Sequence, residues 1–124
     1  MLLRLALEEF VLFDAVALEF GPGMNVLTGE TGAGKSILID ALGLLAGGRA
    51  SVEWVRAGAD RLSVEGVFDL SHSQLGPTLS EAGVRLDESN LLVLRREFGR
   101  DGRSRAFANG RSVLVSDLRQ WTGA

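Results

Sequence analysis

The stretch GETGAGKS, residues 29 to 36, limits what this chain can fold into more than any other. It sets three glycines and the only lysine, Lys35, between a short apolar run, Met24 to Thr28, and a long one, KSILIDALGLLA. The first run reads as a buried strand. The second reads as a helix from Lys35 to Ala46, apolar at Ile37, Leu38, Ile39, Ala41, Leu42, Leu44 and Leu45. That is too many faces for a surface helix, so burial almost all round is expected, with Gly47 and Gly48 as the stop. A glycine loop joining a strand to a helix is the context that the pattern G-x-x-x-x-G-K-[ST] requires.

The physical reason for the glycines is access. Backbone N–H groups wrap a polyphosphate only if all turn inward, and the backbone angles and close approach this needs are open to Gly29, Gly32 and Gly34. The helix that begins there adds unpaired N–H donors and the positive end of its dipole. The candidate binding residues are therefore Gly29, Glu30, Thr31, Gly32, Ala33, Gly34, Lys35 and Ser36, with a nucleoside triphosphate, ATP, as the cofactor. Lys35 brings a compact charge to the β and γ phosphates, and the Ser36 hydroxyl is the candidate ligand for Mg²⁺ bridging them. The competing reading is a glycine-rich turn that caps a core helix. Asp40, one helical turn beyond Ser36, either orients the loop or is a solvated helix position.

Around this loop the chain alternates in the manner of half-buried strands. Leu3, Leu5 and Leu7 mark one and Val16, Leu18 and Phe20 a second, before a turn at Gly21 to Gly23. Residues 49 to 62 read as irregular around Trp54. Strands are expected at Leu62 to Leu70 and Leu91 to Phe98, the latter paired through DGRS with Arg105 to Asn109, and Asn109 and Gly110 mark another tight turn. A short helix, Thr78 to Ala82, is stopped by Gly83, and Ser116 is placed to cap a helix beginning DLRQW.

With 124 residues, 46% of them apolar, the chain is sized for one domain with a real core. Its net charge of −3 gives no overall pull toward nucleic acid, so anion binding must be local. No cysteine is present, which removes disulfides and thiolate metal sites and suits a cytoplasmic address. The apolar start is broken by Arg4, Glu8 and Glu9, and no stretch reaches the roughly 20 residues of a membrane span. Arg95, Arg96, Arg100, Arg103, Arg105 and Arg111 crowd into seventeen residues with only Glu97 and Asp101 among them. That hairpin presents guanidinium groups to a DNA backbone or is a solvated surface. His72 lacks partners for chemistry, Trp54 and Trp121 read as packing residues, and Arg49 is placed to meet the end of the glycine-loop helix.

Hydrolysis needs more than the loop. It calls for an aspartate ending an apolar strand and a carboxylate that orients water. Leu91 to Leu94 runs into Arg95 instead, and only Val67 and Phe68 precede Asp69. A complete small P-loop kinase would need an acidic Mg²⁺ site within these residues, and such kinases tend to place the loop after the first strand, whereas two strands come first here. A nucleotide-gated dimerisation module is the other alternative.

FGPGMNVLTGETGAGKSILIDALGLLAGGRA, then VRAGADR, then LRREFGRDGRSRAFANGRSV, closely resemble, in the same order, the amino-terminal segment of the RecN family of bacterial DNA repair proteins, relatives of the SMC proteins. The resemblance implies an α/β P-loop NTPase of the ABC/SMC type: a head lobe with a mixed sheet, antiparallel strands plus the phosphate-loop strand and a buried helix. Residues 1–124 would form the amino-terminal lobe of that head. Its catalytic half, signature motif and coiled coil would follow beyond residue 124, leaving the fragment alone inactive. It also implies ATPase activity in recombinational repair of double-strand breaks, with ATP-dependent engagement of heads and DNA binding or tethering. The implied partners are the carboxyl-terminal half of the same head, a second copy through ATP-sandwiched heads, and double-stranded DNA or its ends. The implied address is cytoplasmic and nucleoid-associated. Arg56, in VRAG, sits where SMC heads carry an arginine that reaches nucleotide or DNA. Some related heads place a basic residue after a phenylalanine of the first strand; here Phe10 is followed by Val11.

Overall fold

In β1, Leu2–Phe10, Leu5 and Leu7 are buried while Arg4 and Glu8 face out, the period-2 pattern that turns one side of a strand into core. The computed structural model describes residues 2–11, 13–19 and 32–122. Around β1 it builds β2 (Phe13–Glu19), α1 (Gly32–Leu45), β3 (Arg61–Asp69), α2 (Gly76–Glu81), β4 (Leu91–Gly99), β5 (Ser104–Ala108), β6 (Arg111–Val113) and α3 (Val115–Thr122). A single 3-10 turn, Val52–Trp54, falls in the stretch expected to be irregular.

The described strands form one six-stranded sheet in the order β2-β1-β3-β4-β5-β6, with every neighbouring pair antiparallel. The strand expected at Met24 to Thr28, which would make the sheet mixed, lies outside the described residues. Register sorts the two faces. Leu7 stands opposite Val64, Val64 opposite Arg96, and Arg96 opposite Ala106. All four lie on the face that α1 and α3 cover, with Leu5, Leu62, Leu92, Leu94 and Phe98 buried beside them. On the other face Glu65 opposes Arg95, and Glu8 opposes Ser63. There Arg95 gathers Glu97 at 3.0 Å, Glu65 at 3.6 Å and Glu8 at 3.9 Å.

α1 is buried on one side rather than all round. Ala41, Leu44 and Leu45 enter the core, whereas Ile39 is 66% exposed. It begins at Gly32, three residues before the expected start. It ends as expected at Gly47, which takes φ +90, a left-handed conformation that glycine adopts without strain. The Gly47 N–H donates to Leu44 O and the Gly48 N–H to Gly43 O, closing the Schellman turn that satisfies two otherwise unpaired carbonyls. α3 starts at Val115, so Ser116 lies inside the helix instead of capping it. The helix start is closed from within instead, Asp117 Oδ2 of the first turn reaching back to accept from the Leu114 N–H at 3.0 Å.

Candidate functional site

The first four N–H groups of an α-helix have no partner within the helix. In α1 those of the described residues belong to Gly32, Ala33 and Gly34, and Lys35 and Ser36 follow. No acidic residue occupies this first turn, so no carboxylate of the helix competes for its positive end. These donors, a lysine and a hydroxyl residue suit a polyphosphate with its Mg²⁺, Ser36 being the residue that would hold the metal. Gly29, Glu30 and Thr31 lie outside the described residues. Among the described residues no cluster of three or more histidines and carboxylates is arranged to hold a metal ion.

The sheet holds the far end of α1 firmly. Arg96 is 4% exposed on β4. Its Nη1 donates to Leu44 O and to Gly48 O, each at 2.9 Å, and its Nε donates to Ser104 Oγ at 2.8 Å. From α3, Arg119 Nη1 donates to Gly47 O at 3.0 Å and Thr122 Oγ1 to Ala46 O at 3.3 Å. α1 carries no basic residue in its own last turn, so cations from two other elements meet the negative end of its dipole. Arg49, the sequence candidate for this end, is exposed. Burial, and secondarily the nearby charge of Arg119, lower the pKa of Arg96 below the usual guanidinium value. It nevertheless remains a cation, because guanidinium does not give up its proton in proteins.

Arg56 stands in a loop built against the end of β1. Phe10 and Val55 form an antiparallel bridge. The Val11 N–H donates to Trp54 O at 2.7 Å and the Arg56 N–H to Glu9 O at 2.9 Å. The rings of Phe10 and Trp54 pack with centroids 5.8 Å apart, which bears out the packing role expected of Trp54. Glu9 and Val11 have φ of 54 and 55, left-handed values that cost a β-branched residue on the order of 1–3 kcal/mol and persist only where surroundings impose them. Here the bonds to residues 54 and 56 impose them. The Arg56 side chain is 42% exposed, and its Nη1 meets Glu9 Oε2 at 3.5 Å. The departure noted after Phe10 is thus a strained Val11 whose backbone binds the Arg56 loop.

Most arginines of the β4–β5 hairpin are engaged within the chain. Arg96 caps α1, and Arg95 lies among three glutamates. Arg100 donates to Ala59 O, Val55 O and Arg56 O. Arg103 pairs with Asp101 at 3.7 Å on the exposed turn. Reading the cluster as one basic stripe missed these roles, although strand parity carried the signal: Arg96 falls in step with Leu92, Leu94 and Phe98, and a cation in that position must be buried against acceptors. No helix among the described residues is long and apolar enough to cross a membrane.

A family model described as an AAA domain matches residues 4–88. DNA repair protein RecN of Halalkalibacterium halodurans is 43% identical over 97% of this chain, and RecN of Vibrio cholerae is 44% identical over 96%. The chain spans 21% of the length of each of these curated relatives. Among solved structures, one from work on ATP-driven dimerization and DNA stimulated activation of SMC ATPases matches with a TM-score of 0.73 at 27% identity, covering 96% of this chain and 75% of that one. The chain belongs to the AAA domain family, has the α/β fold of an SMC-type ATPase head, and is similar along nearly its whole length to DNA repair protein RecN.

Proposed function

We propose that this chain is the ATP-binding lobe of an SMC-like ATPase that acts in recombinational repair of DNA double-strand breaks. One observation carries the reading: the complete phosphate-loop pattern runs into the first turn of α1, in a chain 43% identical to a RecN and folded like an SMC head. Gly29 to Ser36 seat ATP, Lys35 stabilises phosphate charge, Ser36 holds Mg²⁺, and Arg56 supplies a further phosphate contact. When bound, Mg²⁺ neutralises charge on the β and γ phosphates.

The acidic Mg²⁺ residue and the signature motif belong to the carboxyl-terminal half of the head. Two heads engage with ATP between them, and the assembly binds or tethers double-stranded DNA in the cytoplasm, at the nucleoid. ATP turnover, measured with and without linear duplex DNA for this chain alone and for the full-length protein, tests the proposal. The expected result is duplex-stimulated turnover by the full-length protein and none by the isolated chain. Turnover by the isolated chain with a small phosphate acceptor would overturn it in favour of a kinase.

A further inference from the structure

The loop carrying Arg56 is gripped from two sides. β1 holds it through the bonds at residues 9 to 11. The opposite grip comes from one residue at the β4–β5 turn. Arg100 Nε donates to Ala59 O at 3.1 Å, and its Nη2 donates to Arg56 O at 2.9 Å and Val55 O at 3.3 Å. Its backbone N–H donates to Asp60 O at 2.8 Å. The turn is itself closed by Gly99 N–H to Arg103 O and Gly102 N–H to Gly99 O, so Arg100 is anchored before it reaches the loop. Within the loop the Ala59 N–H returns to Arg56 O, and Gly58 takes φ +87. The backbone of residues 55 to 60 is thus fixed, while the Arg56 side chain, with its 3.5 Å contact to Glu9, stays half-exposed.

A rigid backbone under a loosely paired cation is the arrangement expected of a preorganised anion contact. We propose that Arg100 is the positioning residue for Arg56: its fork across the carbonyls of Val55, Arg56 and Ala59 sets where the Arg56 guanidinium meets a phosphate oxyanion. This rests on reading Arg56 as a phosphate contact. The phosphate belongs to nucleotide or to duplex DNA, and the two arms of the test tell them apart. Lysine cannot replace the fork, because an ammonium group lacks the planar geometry that reaches three carbonyls together.

The test is a double-mutant cycle in the full-length protein. Wild type, Arg56→Ala, Arg100→Met and the double variant are titrated with ribose-labelled fluorescent ATP in Mg²⁺, and separately with a fluorescein-labelled linear duplex. Arg56→Ala is expected to weaken one of the two ligands by about tenfold, the loss of a charge-assisted hydrogen bond. Arg100→Met is expected to weaken the same ligand by about threefold or more, through misplacement of the contact. In the Arg56→Ala background Arg100→Met should have no further effect, since it has no contact left to position. Arg100→Lys should fall between wild type and Arg100→Met. It stands in for that variant if methionine disturbs folding.

An Arg100→Met protein that binds both ligands as wild type does, or whose loss recurs undiminished in the Arg56→Ala background, overturns the proposal. The second result is what a purely structural role produces. Arg56→Ala that weakens neither ligand removes the phosphate contact itself, and the positioning role falls with it.

Discussion

Replacing Arg96 by methionine keeps a long apolar stem but removes three hydrogen bonds from a charged donor, to Leu44 O, Gly48 O and Ser104 Oγ. Their losses are unequal. Leu44 O retains the Gly47 N–H at 3.1 Å, and Ser104 is exposed enough to turn to water. The Gly48 carbonyl loses its charged donor, at roughly 1.5–3 kcal/mol for such a bond. Relief from burying a cation near Arg119 works in the opposite direction. The net cost is about 1–2 kcal/mol, felt where α1 ends. Hydrogen exchange of the full-length protein reads it locally: amides of residues 46 to 48 should exchange about 5- to 30-fold faster. Arg96→Lys should recover only part of the protection, because an ammonium group cannot form the same fork. Unchanged exchange at residues 46 to 48, or an equal rise throughout the sheet, would refute the view that Arg96 fixes the end of α1.

Glu9→Gln removes the carboxylate that holds Arg56 and should strengthen whichever phosphate ligand Arg56 contacts by about two- to fivefold; the same fluorescence titrations measure it, and weaker binding would count against competition between Glu9 and phosphate. Gly47→Ala places a Cβ at 2.9 Å from both Arg119 N and Val115 O, on a backbone at φ +90, and should cost on the order of 1–3 kcal/mol. It should raise hydrogen exchange across residues 115 to 122, and unaltered protection of α3 would show that its docking does not depend on Gly47.

Hydrophobic period and turn chemistry made most of the fold readable from the residues. β4 was expected at Leu91 to Phe98 and ends one residue later, and β3 is displaced by one residue from Leu62 to Leu70. Gly83, at φ +83, stops α2 as its flanking pattern indicated. Asn109 and Gly110, at φ 48 and 80, make the tight turn into β6. What escaped the sequence is what depends on distant partners. Ile39 looks like core by composition, yet only one side of α1 meets the sheet. Ser116 is a good cap by type, but Asp117 is the side chain that reaches the Leu114 N–H. The arginines of the hairpin look alike in sequence, while Arg96 serves α1, Arg95 the charged face and Arg100 the Arg56 loop. The phosphate-loop pattern, by contrast, is local: it stands in the spacing of residues 29 to 36. The carbonyls that Arg96 and Arg100 seek lie 41 to 52 residues away in sequence, and no short-range pattern encodes them.

Isothermal calorimetry of Mg²⁺·ATP binding to the full-length protein, compared with its Lys35→Ala variant, tests the central claim most directly. If the start of α1 seats the triphosphate, the wild-type protein binds and the variant loses affinity by about a hundredfold, the worth of a charge-assisted contact in a partly dry site. Equal affinity in the two proteins, or no heat of binding in either, would contradict it.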